Sequence, residues 1–371
     1  MLQNTQPRGR LESSWYDLVS EQLQALIPRF GLERASARVH RAYELICSES
    51  LGLHPGAQAI RSSTLNHDGT PIQYALALGH GVVPLQFLSE AGDPGLSYTD
   101  GREFIDSRVR ELSALLRLKG DLDYIGALID RSATVNAHEA DPDRGGTFWI
   151  GASFAPGGKC GLKVYINGKN GTESEQWDRL DRFAAHFGDP KQQHELRRLV
   201  AGKMSPLGMA ISLSGDDNPT GRVYLSGYGN RVPYYEGLLE HFGGEQYADA
   251  FAQYTEVMLG EDRAYPTQSV VFSVGIGTTL SRRTDAKIEF CGHCLFQSDS
   301  QARDRCLRWL ALRKVDALPY VELLDVIAAG QTSPAKVSTH IYSGLGWKGQ
   351  QEYTTIYLKP HPPCASTSDE L

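Results

Sequence analysis

The chain has 371 residues, of which 41% are hydrophobic and 22% are charged, and its formal net charge is −7 at pH 7. This acidic balance argues against a nucleic-acid binder, because such proteins depend on a basic surface. No apolar run is long enough to span a bilayer. Residues 1–10 are polar and lack the apolar segment of a secretory signal. We therefore expect a cytoplasmic protein without a membrane partner.

In chain order, the sequence predicts a disordered tail over 1–12 and helical structure from Trp15 to about Leu51. Two strands follow, and then a helix that Asp100 is predicted to cap, with Glu103 as its capping-box partner. This unit of two strands and a helix recurs, and a last strand pair precedes a tail over 360–371. The predicted strands cover 72–78, 82–89, 147–154, 161–167, 208–213, 222–226, 269–275, 287–295, 336–342 and 352–358.

Five strand pairs give ten strands, and the short links within pairs favour antiparallel hairpins. A sheet of this size either leaves two exposed edges or closes on itself, and closure removes the edges. The sequence thus predicts an α+β fold of five ββα units in one domain over 13–359. Its ten-stranded antiparallel barrel is surrounded by helices and is wide enough to enclose a chamber.

One motif recurs at intervals of roughly 60 to 70 residues. Lys163-x-Tyr165, Arg222-x-Tyr224 and Lys287-x-Glu289 each lie on a predicted strand. Side chains at i and i+2 of a strand share a face. The repeats therefore predict that a cation and its neighbour from three successive units face one centre.

Three cations at close quarters repel one another, so their convergence implies a polyvalent anion such as diphosphate. Tyrosine faces beside them can stabilise a cation and exclude water. This combination suits the ionisation of an allylic diphosphate. Magnesium, the usual alternative, would require a carboxylate cluster. The only adjacent acidic pair near a strand is Asp216-Asp217, so we expect protein cations to replace the metal.

Six cysteines are scattered along the chain, and the simplest expectation is that they are free thiols. Cys291-Gly292-His293-Cys294 is a CxxC motif, but no second CxxC follows to complete a zinc site. We therefore expect neither a metal nor another cofactor.

Several motifs in this order resemble the aromatic prenyltransferases of the dimethylallyl-tryptophan-synthase type. They are Asp68-Gly69-Thr70-Pro71-x-Gln73, Leu162-Lys163-Val164-Tyr165, Arg222-x-Tyr224, and Tyr353 with Tyr357. The resemblance runs from about residue 62 to 358. It implies the ABBA barrel and transfer of a dimethylallyl group from dimethylallyl diphosphate to an electron-rich, indole-type ring without a metal.

The resemblance also implies roles for individual residues. Diphosphate binding falls to Lys163, Arg222, Lys287 and Gln86, and shielding of the allyl cation to Tyr165, Tyr224, Tyr353 and Tyr357. We expect Trp149 and Phe272 to line the acceptor pocket, with Phe272 limiting the donor to five carbons.

Among the positions that depart from the family pattern are 73 and 86. Gln73 stands where the family has a glutamate that accepts the indole N–H, and Gln86 stands where it has an arginine. Glutamine can hydrogen-bond an N–H but cannot take its proton. The acceptor is therefore expected to be richer in electrons, such as a hydroxylated indole or a carbazole of secondary metabolism. Glu289, His340 or water is left to remove the ring proton.

Other functions remain open at this point. A non-catalytic barrel that binds a hydrophobic ligand fits the loss of the glutamate. A phenolic acceptor or a longer prenyl donor fits the same site, whereas a phosphatase would need a metal cluster or an activated nucleophile that the sequence lacks. The expected partners are a prenyl diphosphate and a small aromatic acceptor, and the chain is expected to be a monomer or a weak homodimer.

Overall fold

The computed structural model describes a defined set of residues: 15–47, 63, 65–66, 69–79, 81, 83–91, 98–132, 148–187, 190–215, 218–229, 231–243, 245–260, 267–276, 285–329, 339–349 and 351–361. The predicted N-terminal tail, Asp68 and the pair at 216–217 lie outside these residues, as does the predicted C-terminal tail beyond 361.

The described strands form one closed sheet in which every neighbouring pair is antiparallel and β1 pairs with β10. The predicted ten-stranded barrel is therefore confirmed. The strands are β1 Ile72–Gly79, β2 Leu85–Glu90, β3 Phe148–Phe154, β4 Cys160–Asn167, β5 Met204–Ser214, β6 Thr220–Tyr228, β7 Thr267–Ile276, β8 Ala286–Cys291, β9 His340–Lys348 and β10 Gln351–Leu358.

Helices cover the outside of the barrel. They are α1 Trp15–Arg29, α2 Ser36–Cys47, α3 Tyr98–Leu116, α4 Leu122–Ser132, α5 Glu173–Ala184, α6 Pro190–Val200, α7 Val232–Gly243, α8 Glu245–Leu259, α9 Gly292–Leu295, α10 Asp299–Leu312 and α11 Leu318–Ile327. None of these helices in the described part of the chain is long and apolar enough to cross a membrane.

The main hydrophobic core lies between the barrel and these helices. Strand β4 shows the pattern, because Leu162, Val164 and Ile166 are buried against the helices while Lys163 and Tyr165 face the lumen. Burial of aliphatic side chains stabilises by about 25 cal/mol per Å² of apolar area removed from water. The outer face of the sheet is therefore apolar, which leaves the lumen face for polar side chains.

Some boundaries differ from the predictions. Strand β9 spans 340–348 and continues past the predicted end at residue 342, through Gly344 and Gly346, while positions 336–338 of the prediction lie outside the described residues. These glycines permit close approach of the neighbouring strands. A Cβ on Gly344 would lie 2.5 Å from the carbonyl oxygen of Ile288, and one on Gly346 would lie 2.6 Å from the ring of Tyr353.

Two helical predictions and one strand prediction also need correction. The N-terminal helical region is divided into α1 and α2, with Gly31 at φ 61° between them. Helix α3 begins at Tyr98, so Asp100 lies in its first turn rather than at its cap. Strand β8 ends at Cys291, and the residues predicted to extend it form the single turn of α9.

We predict that Gly344→Ala destabilises the protein by about 1–3 kcal/mol, because the new methyl group meets the backbone of β8. Urea denaturation measures the change in the free energy of unfolding. Gly237→Ala in α7 is the matched control, since a Cβ there has no neighbour within 4 Å and alanine favours the helix. Equal stability of both variants would contradict the close approach.

Candidate active site

The even-numbered strands run parallel to one another, because neighbours in the closed sheet are antiparallel. Lumen-facing residues two positions apart on such a strand therefore lie at successive depths. We call Lys163, Arg222 and Lys287 the cation tier. The adjacent tyrosine tier consists of Tyr165, Tyr224 and Tyr357.

Lys163 connects the two tiers. Its Nζ donates a hydrogen bond of 2.7 Å to the hydroxyl of Tyr224 and lies 4.7 Å from the ring centroid of Tyr165 and 5.4 Å from that of Tyr224. The two rings are 6.0 Å apart and tilted by 44°. The Tyr165 ring is thus placed to stabilise a positive charge by cation–π attraction, whereas Tyr224 meets Lys163 through its hydroxyl.

Arg222 is held from two sides. It forms an ion pair of 2.5 Å with Asp285 and donates a hydrogen bond of 3.0 Å to Ser273 Oγ. Burial lowers the pKa of Arg222, but Asp285 and Tyr353 raise it by more, so this pKa lies above its usual value. The Tyr353 hydroxyl lies 3.5 Å from Asp285 Oδ1. The guanidinium is therefore charged and fixed, with Tyr353 beside its counter-ion.

Lys287 and Glu289 form a buried pair on β8. The Nζ of Lys287 lies 2.6 Å from Glu289 Oε1 and donates a hydrogen bond of 3.0 Å to the hydroxyl of Tyr357. Thr355 donates to the same carboxylate oxygen at 3.3 Å. Lys287 also lies 5.3 Å from the ring centroid of Tyr357. The Glu289 carboxylate thus lies beside Tyr357 of the tyrosine tier through their shared contact with Lys287.

Lys163 is electrostatically coupled to the other two cations. Burial lowers the pKa of Lys163 well below its usual value, and Lys287 and Arg222 lower this pKa further, while Glu289 and Asp285 oppose them. Burial raises the pKa of Tyr165 to about 12. The phenols of this tier therefore stay neutral at physiological pH.

The Gln73 side chain has a fixed orientation. Asn66 Nδ2 donates to the carbonyl oxygens of Thr70, at 2.6 Å, and Ile72, at 3.2 Å, so Asn66 Oδ1 must face Gln73. Gln73 Nε2 donates to this oxygen at 2.7 Å and to the carbonyl of Leu65 at 3.1 Å. Both N–H groups are used, which leaves Gln73 Oε1 as the acceptor on the lumen face.

Trp149 and Gln86 also face the lumen. Trp149 lies opposite Tyr165 of β4 in the ladder, and Gln86 lies opposite Ala75 and Ser153. Within the described residues, Gln86 has no recorded hydrogen bond to the cation tier, so its role in diphosphate binding stays a prediction.

The structure corrects the role of Phe272. This residue is fully buried on the outer face of β7, where its ring lies 5.6 Å from that of Phe242 in α7. The lumen-facing positions of β7 are Val271 and Ser273, which pair with Glu289 and Lys287. Phe272 therefore cannot line the acceptor pocket, and the predicted limit on donor length loses its basis.

His340 is also remote from the lumen chemistry. Its Nδ1 lies 2.7 Å from Asp299 Oδ1, and its Nε2 lies 2.7 Å from the Tyr320 hydroxyl. Both partners belong to the helical layer. Since both ring nitrogens are engaged there, His340 is excluded as the group that removes a ring proton.

Sequence reasoning missed two carboxylates. Asp285, the partner of Arg222, was missed because it precedes the predicted start of β8. Its i, i+2, i+4 spacing with Lys287 and Glu289 would have indicated that the three side chains share a face. Glu90 is 1% exposed and lies opposite Trp149. Its position four residues after Gln86 on the same strand would have indicated that both side chains share a face.

The CxxC segment lies beside the lumen. In the described residues the ligand atoms of Cys291, His293 and Cys294 lie within 4.8 Å of one another. Burial is the main cause that raises the pKa of Tyr342, and the two thiols raise this pKa further. The five described cysteines are free thiols, as predicted.

Solved structures with this architecture cover almost the whole chain. The 5-dimethylallyl tryptophan synthase from Streptomyces coelicolor, in complex with DMASPP and Trp, gives a TM-score of 0.81 at 18% identity over 95% of this chain and 97% of that one. The 6-dimethylallyltryptophan synthase from Micromonospora olivasterospora gives 0.77 at 17% identity over 94% and 97%. AnaPT from Neosartorya fischeri gives 0.72 at 11% identity over 93% and 92%.

The chain therefore has the fold of the ABBA prenyltransferases, and the resemblance indicated by its motifs is confirmed at the level of the fold. No family model matches the sequence.

We predict that affinity for inorganic pyrophosphate falls as the pH rises over a range that begins below the ordinary lysine pKa of about 10.4. Because its pKa is lowered, the Lys163 ammonium loses its proton at a lower pH than an ordinary lysine, whose pKa is about 10.4. Lys163→Arg stays charged over this range, so its affinity should fall less steeply. Calorimetric titration with pyrophosphate at each pH measures the affinity of both proteins. Ionisation of pyrophosphate affects both affinities equally, so it cancels when the two pH slopes are compared. Identical slopes would contradict the role of Lys163.

Proposed function

We propose that this protein is an aromatic prenyltransferase that moves a dimethylallyl group from dimethylallyl diphosphate to an electron-rich indole- or carbazole-type ring. The observation that carries the proposal is the contact between the two tiers. Lys163 lies 4.7 Å from the ring centroid of Tyr165 and donates a hydrogen bond to the hydroxyl of Tyr224, while Lys287 and Arg222 lie close enough to lower its pKa. A site built to hold an anion beside aromatic faces suits ionisation of an allylic diphosphate.

In the proposed reaction the allylic C–O bond breaks first, and its electron pair leaves with the diphosphate. The cation tier stabilises the developing negative charge, because fixed donors in a dry site need no reorganisation. The tyrosine tier shields the allyl cation from water. A π pair of the acceptor ring then forms the new C–C bond, and loss of the ring proton restores aromaticity.

The proton needs an acceptor near the tyrosine tier. We assign this role to Glu289, which lies on the lumen face of β8 beside Lys287 and Thr355. Lys287 can shift its interaction toward the released diphosphate, which would leave the Glu289 carboxylate more basic. Glu289→Gln should therefore slow turnover more than it weakens donor binding.

We further propose that the diphosphate is held by side chains without a divalent metal. The carboxylates of Asp285 and Glu289 are each paired with a cation of the tier. The group with metal-ligand spacing among the described residues consists of two thiols and an imidazole, whereas magnesium prefers oxygen ligands. Turnover in the presence of EDTA tests this proposal.

We predict that Lys163→Ala and Arg222→Ala each lower kcat/KM by about a hundredfold or more, because each removes a charge that stabilises the leaving group. The assay uses labelled dimethylallyl diphosphate with a panel of indoles, carbazoles and phenols and with EDTA present. Lys159→Ala is the matched control, since Lys159 is exposed in the turn between β3 and β4.

The same assay separates the alternatives. A barrel that only binds ligands would release no diphosphate with any acceptor, and a phosphatase would release inorganic phosphate without an acceptor. Wild-type turnover of the Lys163→Ala variant would overturn the assignment of the cation tier. Because Arg222→Ala leaves Asp285 unpaired, circular dichroism must show that this variant is folded.

We predict that Gln73→Glu shifts the acceptor preference toward simple indoles. Gln73 Oε1 accepts a hydrogen bond as it stands, whereas a carboxylate also withdraws the N–H proton and enriches the ring. Competition between indole and a hydroxylated indole measures the shift in relative kcat/KM. An unchanged preference in a folded variant would show that position 73 does not touch the acceptor.

A further inference from the structure

A cluster of two thiols and an imidazole lies at the end of strand β8. The ligand atoms of Cys291, His293 and Cys294 lie within 4.8 Å of one another. Cys291 follows Glu289 at the i+2 spacing that places both side chains on the lumen face. In agreement with this placement, Cys291 is outside the main hydrophobic core, to which its neighbour Phe290 belongs. The cluster therefore lies on the far side of Glu289 from the cation tier.

The backbone of this segment is fixed by its neighbours. The single turn of α9 begins at Gly292, and the N–H of Phe296 donates to the carbonyl oxygen of Gly292 at 2.9 Å. A Cβ on Gly292 would collide with the carbonyl oxygen of His340 in β9, so the turn lies directly against that strand. Cys291 pairs with Tyr342 of the same strand. The backbone that carries the three ligand groups is thus preorganised, and only the side chains need to move.

The spacing of the ligand atoms suits a tetrahedral ion. Zinc binds thiolate sulfur at about 2.3 Å and imidazole nitrogen at about 2.0–2.1 Å, which places the ligand atoms of a tetrahedral site about 3.5–3.8 Å apart. The Sγ atom of Cys291 lies 2.9 Å from His293 Nδ1 and 3.5 Å from His293 Nε2. Shifts of about 1 Å or less, which side-chain rotation can supply, would therefore bring all three ligand atoms to bonding distance.

The donor atoms select the class of ion. Thiolates and imidazole suit zinc and other thiophilic ions, whereas magnesium prefers oxygen. Two cysteines and one histidine suffice for a zinc ion whose fourth position is open, and a second CxxC is needed only for a closed site of four cysteines. His293 is exposed and Cys294 is half-buried, so an ion can reach the cluster from solvent.

We propose that Cys291, His293 and Cys294 bind a thiophilic divalent ion such as zinc, with the fourth position open to water. This inference is independent of the proposed prenyltransferase function. The Cys291 thiol is neutral before binding, because contact with Cys294 and burial both raise its pKa. Binding forms one bond from the ion to each sulfur, and each thiol proton passes to the buffer.

The test uses cobalt(II) as the probe, because thiolate ligands in a tetrahedral site give it a charge-transfer band in the ultraviolet and strong visible absorption. Titration of the reduced full-length chain should produce both signals, with saturation at one ion per chain, and zinc should abolish them. Cys294→Ser should weaken cobalt binding by about a hundredfold or more, since loss of an outer-shell partner alone costs about 10–100-fold.

The matched control is Cys160→Ser, which should bind cobalt as wild-type protein does. Cys160 is a free thiol at the start of β4. Because β4 and β8 run parallel in the closed sheet, this thiol lies at the opposite end of the barrel from Cys291.

A second measurement does not depend on a variant folding. Zinc should prevent alkylation of Cys294 by iodoacetamide in wild-type protein but should leave the alkylation of Cys160 unchanged, as read by peptide mass spectrometry.

Three results would overturn the proposed site. They are the absence of the charge-transfer band in folded wild-type protein, an unchanged spectrum in folded Cys294→Ser or His293→Ala, and alkylation of Cys294 at the same rate with and without zinc. None of these measurements involves turnover, so they separate this proposal from the proposed function.

Discussion

Repulsion among three cations that face one enclosed lumen is the constraint on which this site depends. Lys163, Arg222 and Lys287 lie close enough for the last two to lower the pKa of the first. A buried charge is tolerated only when partners offset its desolvation. Asp285 and Glu289 supply that compensation for two of the cations. Lys163 instead relies on tyrosine, so it is the cation with the greatest need of an anionic ligand.

Closure of the barrel makes this arrangement possible. The outer face of each strand packs against helices, which commits the alternate residues to the interior. A closed sheet has no edge through which water can reach the backbone, so the lumen excludes solvent along its sides. The glycines of β9 take part as well, because Gly344 and Gly346 leave room for Glu289 and Tyr353 to lie against the wall.

The lumen is electrostatically divided along its length. Charged pairs and phenols occupy the cation and tyrosine tiers, whereas Gln73, Trp149 and the buried Glu90 lie further along.

The sequence by itself determined the barrel, the lumen face of β4, β6 and β8, and the recurring cations, because strand periodicity and the repeat are local properties of the chain. Tertiary structure decided what depends on register between strands and on packing outside the barrel. Phe272 faces the helices, Asp285 pairs with Arg222, and His340 binds Asp299. A shift of one residue exchanges the two faces of a strand, and only the paired neighbours fix that choice.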